Sequence, residues 1–171
     1  MWKSLLVPHD FSDCAARALD VAVELAAHAG ARLTLLHVSL LPPSLPPDAM
    51  VIAPGTNAPV RVDELTTAGA RRELAAIATP LIARGLSVRS VAMATASGDI
   101  STWILRAADE NGVDAIVVGT HGRRGLSHLL LGSTAEKVIR GARVPVVTVR
   151  SSAPEATPTR EESLAEDEVV G

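Results

Sequence analysis

The sequence predicts an α/β fold: one parallel sheet of five strands with helices on both faces. Three observations carry this. Short β-branched or aliphatic runs alternate with longer segments of helical period in the order βαβαβαβαβ, and strict alternation with helical crossovers implies a parallel sheet. The strand runs are nearly continuous in apolar residues, as strands buried on both faces must be. The chain has 171 residues, 47% of them hydrophobic, which suits one domain that buries roughly 70% of its unfolded surface. Right-handed crossovers leave only a few windings, of which strand order 3-2-1-4-5 is one.

Taken in order, residues 4–9 are a short apolar run ending in Pro8-His9-Asp10 and read as the first strand. In the helix that follows, Leu19, Ala22, Val23 and Ala26 share one face and Arg17, Asp20, Glu24 and His28 the other. Ser12 or Asp13 supplies its N-cap and Gly30 its stop. Residues 32–38 and 86–93 are the second and third strands. Between them, Leu74, Ile77, Ala78, Leu81 and Ile82 keep the spacing of a buried helical stripe, ended by Gly85. A third helix starts at Asp99, buries Ile100, Trp103, Ile104, Ala107 and Ala108, and stops at Gly112. Residues 114–119 form the fourth strand, Ala135, Val138, Ile139 and Ala142 mark the fourth helix, and residues 144–149 form the fifth strand.

Composition narrows the function classes. The only aromatic residues are Trp2, Phe11 and Trp103, so there is no ring platform for stacking the bases of single-stranded nucleic acid. The net charge of −3 gives no general attraction to nucleic acid either. That charge is uneven: residues 151–171 hold six acidic residues and Arg160, a net −5, which leaves +2 for residues 1–150. With Pro154, Pro158 and few large apolar side chains, residues 151–171 read as a disordered acidic tail appended to a domain over residues 1–150. A single cysteine, Cys14, cannot form an internal disulfide, and Asp10 comes too early for a signal peptide, so the expected location is the cytoplasm. The longest nearly uncharged stretch, residues 33–60, contains six prolines and Asp48 and cannot be a membrane span.

In an open parallel sheet the ligand crevice lies beyond the carboxyl ends of the strands, where the winding reverses. For order 3-2-1-4-5 that point falls between strands 1 and 4. The loops leaving them are Pro8-His9-Asp10-Phe11-Ser12 and Gly119-Thr120-His121-Gly122-Arg123-Arg124-Gly125, the most polar and glycine-rich strand-to-helix junctions in the chain. The second loop runs on to Gly132-Ser133-Thr134-Ala135-Glu136, where Ser133 to Glu136 form a capping-box pattern. Glycines let backbone N–H groups approach an anion, and a helix start offers unpaired donors and the positive end of its dipole. Arg123 and Arg124 add charge, and the hydroxyls of Ser133 and Thr134 can donate to phosphate oxygens. The plainer alternative is that the glycines serve turns and Ser133 caps a helix. The spacing Gly119-x2-Gly122-x9-Gly132-Ser133 favours the phosphate loop.

That spacing, together with Val7-Pro8-His9-Asp10-Phe11-Ser12 and the closing Val144-Pro145-Val146-Val147-Thr148-Val149, resembles the universal stress protein family, in the pattern of its ATP-binding members, over residues 3–149. The resemblance implies a Rossmann-like fold of order 3-2-1-4-5, ATP binding, homodimers and a role in stress survival. Carried over, it implies that Asp10 holds the ribose hydroxyls and the backbone around Val38 contacts adenine. Gly119, Gly122, Gly132 and Ser133 would wrap the phosphates, with Pro8, Thr120, His121, Arg123, Arg124, Gly125 and Thr134 beside them. Such roles are chemically sound: a carboxylate accepts from two vicinal hydroxyls, and adenine can be read by backbone groups among aliphatic side chains. Two features depart from the family pattern. His9 stands where a small residue such as Thr is more frequent. Residues 39–62, with Pro42, Pro43, Pro46, Pro47, Pro54 and Pro59, exceed an ordinary strand-to-helix connection and are expected to form either a semi-rigid lid over the nucleotide or a surface loop.

The remaining candidates are weaker. His121 reads as a phosphate contact or a solvated loop residue, His28 and His128 as surface residues, and His37 as a structural partner of a backbone group. Cys14, in the first turn of helix 1, reads as packing rather than a redox thiol. No metal cluster emerges, and a magnesium ion accompanying ATP stays open. The fifth strand, at the sheet edge in this winding, invites pairing with a second copy through residues 144–149. Three functional readings follow: an ATP-dependent regulator or sensor in the stress response, a slow ATPase or autophosphorylating enzyme using Ser133 or Thr134, and an interaction module binding AMP or cyclic AMP. The enzyme reading lacks an evident general base, arginine finger or dedicated metal carboxylates near the phosphate loop.

Overall fold

The structure, a computed structural model, describes residues 1–41, 44–55, 57–96, 98–120 and 131–150. Strand β1 (Ser4–Pro8) leads into helix α1 (Asp13–Ala29), followed by β2 (Arg32–Leu40), β3 (Met50–Ile52), β4 (Pro59–Arg61) and α2 (Val62–Ala83). Then come β5 (Val88–Thr95), α3 (Ile100–Glu110), β6 (Ala115–Gly119), α4 (Ser133–Gly141) and β7 (Val146–Val149). Five strands pair in parallel in the order β5-β2-β1-β6-β7, which is the expected 3-2-1-4-5 when the strands of this sheet are counted along the chain.

Strand alternation sorts the core into two layers. Leu5, Val7, Leu33, Leu35, Ala115 and Val117 pack against α1 and α2, whose Leu19, Ala22, Val23, Leu74, Ala78 and Leu81 meet them. The intervening Leu6, Leu36, Val38, Ile116 and Val118 pack on the other face with Ile104, Ala107 and Ala108 of α3 and Ala135 and Val138 of α4. Leucines such as Leu5, Leu6, Leu33 and Leu35 are fully buried, each contributing roughly 2 kcal/mol by apolar transfer. This sheet is the rigid base from which the loops at its C-terminal edge depart.

Local signals set the helix ends. Ser12 is the N-cap of α1, its Oγ accepting from the Ala15 amide, and Gly30 ends the helix at φ 65° with its amide on the Ala26 carbonyl. Asp99 caps α3, and Lys137 of α4 binds its other carboxylate oxygen at 2.9 Å. The Ser101 hydroxyl, together with Lys137, holds this carboxyl below the usual Asp range.

Helix α2 begins at Val62, where the expected connection ends, and buries Val62, Thr67 and Ala70 ahead of the apolar stripe. Several expectations are corrected. Ile82, expected in the buried stripe, is 52% exposed, and of the residues expected to mark α4, Ile139 lies in the helix but is 40% exposed while Ala142 is its C-cap. Trp103 is half-buried, with the Arg106 guanidinium 5.4 Å from its ring centroid. Strands β2 and β5 run two residues further than their apolar runs because they pair with each other through Leu40↔Thr95. Within residues 39–62, β3 and β4 form an antiparallel hairpin, so the connection is not a plain loop. Its link to α2 is tied down by the Val62 amide on the Ala49 carbonyl and the Asp63 amide on that of Pro47. The tail, residues 151–171, lies outside the described residues.

Candidate functional site

The winding reverses between β1 and β6: β1 connects to β2 on one side, and β6 and β7 extend the sheet on the other. At this point β1 ends at Pro8, which pairs with Leu36, and the His9 amide donates to the Leu36 carbonyl at 2.8 Å. Strand β2 runs on to Leu40. Its backbone alternates sides: the Arg32 amide bonds to Lys3 next to β1, those of Leu33 and Leu41 bond towards β5, and the Leu36 carbonyl faces β1. By the same alternation the amide and carbonyl of Val38 turn to the side that β1 has vacated. The Val38 side chain is buried in the layer with α3.

The first loop is tightly organised. Phe11 sits at φ 65°, a left-handed conformation that non-glycine residues rarely adopt. Asp10 Oδ1 accepts from the Ser12 amide at 3.1 Å and from the Ser12 hydroxyl at 2.6 Å, so the residue that caps α1 also fixes this carboxylate. Behind it, His37 Nδ1 donates to the His9 carbonyl at 2.7 Å, and His9 Nδ1 accepts from the Phe11 amide at 3.1 Å. The Phe11 ring stacks on His37 at 4.6 Å and meets His9 edge-on at 5.3 Å. His37 is thus the backbone partner its sequence position suggested. No signal marked Phe11, because nothing in a phenylalanine announces a positive φ. His9 was visible as a departure from the family pattern.

On the other wall, Gly119 ends β6 opposite Val149. A Cβ there would lie 2.9 Å from both the carbonyl oxygen and Sγ of Cys14, so this glycine permits close packing of β6 on the start of α1. Cys14 itself is buried, its Sγ 3.4 Å from the Val149 carbonyl. Thr120 is buried, its amide donating to the Val149 carbonyl at 2.9 Å and its carbonyl accepting from the Gly132 amide at 2.7 Å. That last bond brings the start of α4 beside the end of β6. The expected capping box is corrected: the N-cap is Gly132, whose carbonyl accepts from the Glu136 amide, and among the described residues no side chain caps the helix. Ser133 is therefore an exposed first-turn residue with no capping role, and Thr134 follows it, half-buried. His121, Gly122, Arg123, Arg124 and Gly125 lie outside the described residues.

The structure therefore joins Pro8, Asp10, Val38, Gly119, Thr120, Gly132, Ser133 and Thr134 at the C-terminal edge of the sheet. An Asp-x-Ser turn alone does not mark a site, since Asp99 and Ser101 make the same pair of contacts at the start of α3. What sets Asp10 apart is its place at the reversal. Among the described residues no three His, Cys, Asp or Glu side chains converge on a metal position, and no helix is long and apolar enough to cross a membrane.

Comparison with known proteins agrees with this fold. Universal stress protein YxiE of Bacillus subtilis is 34% identical over 88% of this chain and its own full length. The solved structure of MJ0577, a universal stress protein of Methanocaldococcus jannaschii, superposes with a TM-score of 0.69 at 25% identity, over 90% of this chain and 99% of that one. The universal stress protein of Archaeoglobus fulgidus in complex with dAMP shares the fold, with a TM-score of 0.59 at 24% identity over 86% of this chain and 97% of that one. The family model matches residues 1–150, and the chain belongs to the universal stress protein family.

Proposed function

We propose that this chain binds an adenine nucleotide, ATP in the first instance, in the crevice between β1 and β6, and acts as a nucleotide-dependent regulator in the stress response. The observation that carries the reading is the start of α4: a helix N-terminus with a glycine cap, no side-chain cap and an exposed Ser133, held beside the end of β6 at the reversal of the sheet. Its first-turn amides have no partners within the helix, which suits an anion. Asp10, fixed by Ser12, is suited to the ribose hydroxyls, and the backbone of Val38 to the adenine edge. Gly119, Thr120, Gly132, Ser133 and Thr134 would hold the phosphates with His121, Gly122, Arg123, Arg124 and Gly125. Pro8, the last residue of β1, would lie beside them. Binding of dAMP by the related Archaeoglobus protein supports an adenine nucleotide as the ligand class. A magnesium ion, if it accompanies ATP, would be held by phosphate oxygens and water, as is usual for this cation.

Regulation is preferred to turnover on the sequence pattern, which offers no evident general base, arginine finger or dedicated metal carboxylates near the phosphate loop, Asp10 being better suited to the sugar. Phosphate release from ATP, measured for the wild type and Gly122→Val, separates the two. Binding without turnover is the expected result. Steady phosphate release that disappears in Gly122→Val would establish the enzyme instead.

A further inference from the structure

The nucleotide reading gives His9 no task, yet the residue is held at several points. It is 5% exposed. Its amide is bound by Leu36, its carbonyl by His37, and its Nδ1 accepts the Phe11 amide. Accepting at Nδ1 requires a neutral ring with its proton on Nε2, and Nε2 is buried with no hydrogen-bond partner among the described residues. A proton added at Nδ1 would set two donors against each other, break the bond to the Phe11 amide and leave a buried cation.

Burial is the largest influence on this ring and opposes protonation, as does His37 on β2. Asp10 on its own loop and Glu73 on α2 favour protonation, and the balance holds the pKa below its ordinary 6.5. A pKa lowered in the ordered loop means that the order is favoured above the ordinary value and is lost as pH falls through the lowered one.

We infer that neutral His9 is the positioning residue of the Asp10 loop. It holds Phe11 in its left-handed turn, and so sets Asp10 and the Ser12 cap, and its protonation as pH falls loosens them together. The consequence for ligand affinity rests on the nucleotide reading; the consequence for the loop does not.

Two measurements on the full chain test this, taken from about pH 7.5 downwards through the ordinary His pKa until the His9 ring has titrated. In nucleotide-free protein, NMR follows the His9 ring and the Phe11 and Ser12 amides. The amides should move with the ring in the wild type and stay in place in His9→Asn, whose side-chain oxygen offers an acceptor that does not titrate. Amides that ignore the His9 titration in the wild type overturn the inference, whether or not the variant folds. In the second measurement, the ATP affinities of wild type and His9→Asn are compared at each pH, so that the ionisation of ATP itself cancels. The wild type should weaken relative to the variant by about fivefold at the acid end, the worth of one hydrogen bond. A ratio that does not change with pH overturns the coupling. If neither protein binds ATP at any pH, the nucleotide reading falls and the coupling with it, while the NMR result still decides the role of His9 in the loop.

Discussion

At the scale of single residues, the crevice rests on a few close contacts. Gly119 was legible from its spacing, and the structure adds a packing reason, because a Cβ would press on the Cys14 backbone as well as its sulfur. Gly119→Ala should therefore lose about 1–3 kcal/mol in urea unfolding, and Cys14→Ala should restore only part of that, since the carbonyl contact remains. Stability equal to wild type would show that β6 and α1 can separate without cost. His37 could be read in advance because a histidine ending an apolar strand needs a polar partner, which proves to be the His9 carbonyl. The turn at Phe11 could not be read, since left-handed backbone is signalled by Gly or Asn and here rests on tertiary contacts with two histidines.

At the scale of elements, the two helix starts that flank the crevice differ. Helix α1 has a side-chain cap and α4 does not. Ser12→Ala should cost about 1 kcal/mol. Ser133→Ala should stay within about 0.5 kcal/mol of the wild type, while weakening ATP binding by about fivefold or more through a lost phosphate contact. Equal stability losses in the two variants would show that Ser133 is a cap after all. The Ser-Thr-Ala-Glu sequence misled because the chain enters α4 one residue earlier, at a glycine that needs no side chain to do so. Strands β3 and β4 escaped for another reason: each has three residues, too few to display an alternation, in a segment whose prolines speak for loop.

For the whole molecule, topology was the most legible property. Strands such as Leu5-Leu6-Val7 and Ala115-Ile116-Val117-Val118 must be buried on both faces, and alternation with helical segments makes a helix-covered parallel sheet the fold that does so. The same topology leaves β7 at an edge, with Val146, Val147 and Val149 half-buried and Ile139 of the neighbouring α4 exposed. We propose that a second copy covers this edge; sedimentation should show dimers at micromolar concentration, and a strict monomer would exclude it. The charge of residues 1–150, +2 once the acidic tail is set aside, is compatible with an anionic ligand. Calorimetric titration of ATP into nucleotide-free wild type and Asp10→Ala tests the central claim most directly. Saturable binding by the wild type, weakened about tenfold or more in a folded Asp10→Ala by loss of a charged hydrogen-bond acceptor, is the predicted result. A folded wild-type chain that takes up no ATP would contradict it.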